Sequence, residues 1–126
     1  MEESNVSLCV PAKPSFARSV RMMSASLAVL CAMNVDDVED ARMVAEEAFV
    51  YACATRPGMC DITFKVSQEG LTMAFSLGGE VADDPELAEQ AGLAKILLSA
   101  VSDSFEISQE SRSLRVSKLA GAAHAE

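Results

Sequence analysis

The chain has 126 residues, half of them hydrophobic and 23% charged. That is enough for one packed domain, and it excludes an intrinsically disordered chain. The formal net charge of −9 repels phosphate backbones. It argues against direct nucleic-acid binding and points to a protein or a small molecule as partner. Met1 to Val10 shows no signal-peptide pattern, and the apolar stretch from Met22 to Met33 is shorter than the roughly 20 residues a bilayer requires. A cytoplasmic protein with no membrane contact is the expectation.

Cys9, Cys31, Cys53 and Cys60 show no C-x-x-C spacing, and the one His, His124, lies near the end of the chain. No metal cluster is expected from them; they read as four free thiols.

In chain order, Val6, Leu8 and Val10 alternate with polar or small residues and predict a strand that Pro11 and Pro14 stop. Ser15 is placed to cap a helix over roughly 15–33. Phe16, Val20, Met23, Leu27 and Leu30 form its apolar stripe. Asn34 is the next cap, with Asp37 in the first turn, for a helix over roughly 35–55. Val38, Ala41, Ala45, Ala48 and Ala52 give that helix a face of small residues for close packing. Arg56-Pro57-Gly58 ends it.

Ile62, Phe64 and Val66, then Leu71, Met73, Phe75 and Leu77, predict two strands joined at Gln68-Glu69-Gly70 as a hairpin. An acidic loop from Gly78 to Pro85 leads to a third helix over roughly 86–101, with Leu93, Ile96, Leu97 and Ala100 as its buried face. Phe105 and Ile107 pair with Leu114 and Val116 as a last hairpin, and a tail of small and polar residues follows from about residue 120. The order implies one α+β domain with its core over about 6–119. It is a two-layer sandwich with three helices on one face of a mostly antiparallel sheet.

This order, together with several short motifs, resembles the anti-sigma regulatory serine kinases, which carry the histidine-kinase-like ATPase fold. Val10-Pro11-Ala12-Lys13-Pro14 is similar to the family's opening strand end, and Val35-Asp36-Asp37-Val38-Glu39-Asp40 to its acidic second-helix start. Val44 to Ala52 stands where the family has its Glu-Ala-x-x-Asn box. Leu71 to Gly79 stands where it has a strand ending in Asp-x-Gly. Gly92-Leu93-Ala94-Lys95, with Asp103 further on, stands where it has Gly-Leu-Gly-Leu. The similarity runs from about Val6 to Leu119.

The resemblance implies that Glu47 matches the general base. Tyr51 replaces the magnesium-binding Asn, and Leu77 replaces the Asp that bonds the adenine amine. Gly79 and Gly92-Leu93 are kept, whereas Ala94-Lys95 departs from the second Gly-Leu. A phenol is a poor magnesium ligand, and Leu offers no acceptor. Glu46-Glu47 also reads as a plain acidic helix face, and Lys95 as a solvated charge. The expectation is a regulatory binding protein with an eroded nucleotide site and no cofactor. Its implied partner is a sigma factor or an anti-sigma antagonist, and the family implies a homodimer. The alternatives are an active serine/threonine kinase using ATP and magnesium, and a module binding another small ligand in the remodelled pocket.

Overall fold

A computed structural model describes residues 2–121. Its elements run β1 (Ser4–Pro11), a 3-10 turn (Pro14–Phe16), α1 (Ala17–Leu30), α2 (Val35–Ala54), β2 (Met59–Val66), β3 (Gly70–Ser76), α3 (Pro85–Val101), β4 (Ser104–Ser108) and β5 (Ser113–Leu119). The five strands form one sheet in the order β1-β2-β3-β5-β4, and every neighbouring pair is antiparallel. The fold is therefore an α+β two-layer sandwich, as the strand and helix patterns predict.

Period-two alternation sets the two faces of the sheet. Cys60, Ile62, Phe64 and Val66 of β2, Leu71, Met73 and Phe75 of β3, and Leu114 and Val116 of β5 are buried under the helices. Asp61, Thr63, Lys65 and Arg115 stand on the opposite, uncovered face. A buried charge interrupts the pattern at Lys118. Its ammonium lies 3.3 Å from Asp40 Oδ2 and 3.8 Å from Asp103 Oδ2, so α2 and the turn just before β4 supply its counter-charge.

The middle helix organises the second layer. α2 packs on α1 along one side, on α3 along the other, and on β3 and β5 below. Ala41, Ala45, Ala48 and Ala52 are fully buried, so their small side chains bring the α2 backbone close to the sheet. Asn34 caps this helix as expected, its Oδ1 accepting the Asp37 amide at 2.8 Å.

Three readings are corrected. Ser15 does not cap α1: Lys13 and Pro14 open a 3-10 turn instead, and α1 starts at Ala17 with no side-chain cap. Helix α1 ends at Leu30, which is exposed and does not extend the buried stripe of Val20 and Leu27. The buried face of α3 is Ala91, Ala94 and Leu98, not the set centred on Leu93 and Ile96. Leu93 is 56% and Ile96 66% exposed, and Ala100 is exposed as well. Ala91 and Ala94 face inward on α3 where α2 lies close, with Leu98 the one large apolar chain fully buried on that face, while Leu93 and Ile96 are turned out.

Asp84 opens α3 by accepting the Glu86 and Leu87 amides at 2.9 and 3.2 Å. Asp84→Ala is expected to lower stability by about 1 kcal/mol, measured as a shifted urea midpoint with unchanged slope.

The four cysteines are free. Burial pushes Cys53 up to about 11 and Cys60 up to about 12, and it also raises Cys31. Exposed Cys9 is raised first by its hydrogen bond to Asp61. At pH 8 one thiol, Cys9, is expected to react with a disulfide reagent ahead of the rest, and all four are expected to react after unfolding. A native count of four fast thiols contradicts this packing.

Candidate functional site

The nominated residues come from three elements. On α2, Glu47 and Tyr51 are one helical turn apart, yet their surroundings differ. Glu47 is half-buried and lines a concavity of about 370 Å3 with Arg21 of α1 and with Glu39, Arg42, Met43 and Glu46 of its own helix. Tyr51 is buried at 5% exposure as part of the core cluster. Burial raises its phenol further from ionisation.

Leu77 follows β3 and is likewise buried, at 6% exposure. Its amide donates to the Arg112 carbonyl at 2.9 Å. The next residue is clipped to the end of α2: the Gly78 amide donates to Thr55 Oγ1 at 2.9 Å, while Thr55 Oγ1 donates to the Ala52 carbonyl at 2.7 Å. A Cβ on Gly78 would meet the Thr55 carbonyl oxygen at 2.2 Å, so this crossing requires glycine. Gly79 takes a positive φ of 128° and turns the chain into the acidic loop.

Gly92, Leu93 and Lys95 stand on the exposed side of α3. A Cβ on Gly92 would meet nothing within 4 Å, so no neighbour within the chain demands glycine there. Ala94, by contrast, is fully buried.

A second concavity of about 360 Å3 lies on the outer surface of the helix layer. Phe49, Val50 and Cys53 of α2 line it together with Pro14, Ala17 and Leu87. Its lining is mostly apolar. Glu46 belongs to both concavities, so they meet around one side chain. That carboxylate is bridged to Arg21 Nη1 at 3.1 Å. Arg42 is bridged in turn to Glu39 one turn back on α2.

No ion pair holds Glu47 among the described residues. Burial raises its carboxyl above the usual range, and the charge of Glu46 raises it further. A carboxyl that titrates higher in the folded chain favours folding below its unfolded value, and that favour is lost as pH rises through the folded value. Glu47→Gln is therefore expected to be more stable than the parent at pH 7, with the difference closing below about pH 4. Paired thermal melts across that range check the sign.

Among the described residues no group of three or more His, Cys, Asp or Glu is arranged to hold a metal ion. No helix among them is long and apolar enough to cross a membrane. The sequence nominated Glu47, but not the concavity around it. Arg42 and Met43, and the apolar set Phe49, Val50 and Cys53, carry no site signal of their own in the sequence. The one sequence signal was the i, i+4, i+7 stripe of Glu46, Val50 and Cys53 on the outer side of α2.

No protein-family model matches the chain, and no curated protein matches it.

Proposed function

We propose that this chain is a degenerate relative of the anti-sigma serine kinases, a regulatory protein that acts by binding another protein and not by transferring phosphate. The observation that carries this reading is the burial of Tyr51 and Leu77. In the family pattern these two positions hold the magnesium ligand and the adenine-binding acid. Here both are core side chains, and neither presents a carboxylate or amide to a ligand. The residues present therefore do not fit a magnesium nucleotide, and no phosphoryl-transfer step is derived for Glu47. Its half-buried carboxylate is free to meet a cation from a partner instead.

The implied partner is a sigma factor or a regulatory antagonist of one. The proposed homodimer would use α1, whose Met22, Val29 and Leu30 are exposed, and β1, an edge strand with one side unpaired within the sheet. The experiment is affinity isolation from the native host, followed by incubation of the isolated complex with γ-labelled ATP. The expected result is a retained sigma factor or antagonist that acquires no label. Label on the partner would replace this reading with that of an active serine/threonine kinase.

A further inference from the structure

Two concavities adjoin on the outer face of the helix layer, with Glu46 lining both. Taken together they form a trough whose halves differ in chemistry. One half is apolar, lined by half-buried Val50 and Cys53 of α2, Ala17 of α1 and Leu87 of α3 over the fully buried Phe49. The other is charged, and its two cations are already engaged within the chain: Arg21 by Glu46, and Arg42 by Glu39. Glu47 is left over as a half-buried carboxylate with no ion-pair partner among the described residues.

A carboxylate held partly out of water gains from an incoming cation more than an exposed one does. On a helix rising about 1.5 Å per residue, Glu47 lies only about 4–9 Å along the axis from Val50 and Cys53. One short amphipathic helix could therefore fill the apolar half and place a Lys or Arg against Glu47.

We propose that this trough is the docking site for a basic amphipathic helix of a partner protein. The proposal rests on the protein-binding reading above and adds the chemistry of the segment bound. Charge complementarity selects the occupant. Within the lining of the charged half, Glu39, Glu46 and Glu47 outnumber Arg21 and Arg42, and the whole chain carries −9. An acidic helix, an anionic membrane or a nucleic acid would each be repelled. A second copy would bring another −9.

The probe is a fluorescein-labelled Leu/Lys peptide of about 14 residues with helical period, beside a Leu/Glu peptide of the same pattern. Anisotropy is read at physiological salt. The Lys peptide is expected to bind and the Glu peptide not to. Glu47→Lys and Val50→Asp are each expected to weaken binding about tenfold. Glu106→Lys, on β4 and exposed, makes the same change in net charge as Glu47→Lys and is expected to alter binding less than about twofold. Circular dichroism confirms that each variant is folded, and Leu87→Gln replaces Val50→Asp should the latter unfold.

Equal weakening by Glu47→Lys and Glu106→Lys would overturn the proposal, because attraction would then be diffuse. Failure of the Lys peptide to bind would overturn it too. So would a dimer in light scattering that Glu47→Lys dissociates, which assigns the trough to a second copy. Binding of ATP would overturn the eroded-site reading alone and leave the peptide result standing, so the two failures are distinguishable.

Discussion

Tyr51→Asn, which introduces the residue that the proposed family carries at this place, is expected to cost about 3–5 kcal/mol of stability. Tyr51 is 5% exposed and belongs to the core cluster. Asparagine removes most of that buried volume and places an amide among apolar neighbours, where unpaired polar groups are expensive. Tyr51→Phe keeps the ring and is expected to stay within about 1 kcal/mol of the parent. The pair of variants separates a structural tyrosine from a functional one, and urea denaturation of both checks it. A Tyr51→Asn protein as stable as the parent would mean that the pocket still has room for a polar group and that the tyrosine is not structural.

Gly70→Ala is the second change with a large expected effect, a loss of about 2–6 kcal/mol. Gly70 opens β3 with a φ of 154°, outside the range side chains favour. A Cβ there would stand 2.4 Å from the Lys118 carbonyl oxygen and 2.8 Å from Leu119 Cα. Both obstacles are backbone of the paired strand, Gly70 lying opposite Leu119 in the ladder. Relief would have to come from opening the β3–β5 pairing, which carries much of the central core. Gly79→Ala makes a useful comparison: its φ is also positive, but a Cβ would meet nothing within 4 Å. It is expected to cost about 1–2 kcal/mol from backbone strain alone. Thermal unfolding of the two variants side by side reads the difference.

Much of the fold was legible because its strands are simple. Ile62-Phe64-Val66 and Leu71-Met73-Phe75 alternate cleanly, and a one-residue slip would expose either set. Asn34 and Asp37 mark the start of α2 by the same hydrogen bond that the structure shows. Helix α3 was legible as a helix but not in its facing. Leu87, Ala91, Leu93, Ala94, Ile96, Leu97 and Leu98 place apolar residues nearly all round it, so periodicity cannot choose a side. Packing against α2 decides, and it selects the small Ala91 and Ala94. The opening of α1 was misread for a local reason: Ser15 has the chemistry of a cap, but the Pro14–Phe16 turn absorbs it.

The site was legible only in part. Glu47, Tyr51 and Leu77 could be nominated because the resemblance to the anti-sigma kinases sets them opposite that family's motif positions. The trough beside Glu47 could not, since α1, α2 and α3 all contribute to it and no spacing along one chain encodes it. Nor does composition tell that Arg21 is engaged by Glu46 while Glu47 is not; that follows from where α1 and α2 meet, whereas Arg42 is held by Glu39 one turn back within α2.

Calorimetric titration with ATP and magnesium tests the proposal of an eroded nucleotide site most directly. Under the proposed family reading, leucine in place of a carboxylate at position 77 and tyrosine in place of an amide at position 51, at roughly 1.5–3 kcal/mol each, would weaken nucleotide binding by more than about a hundredfold. No measurable heat is expected at micromolar protein. Saturable binding at low micromolar ATP would contradict the loss of the site.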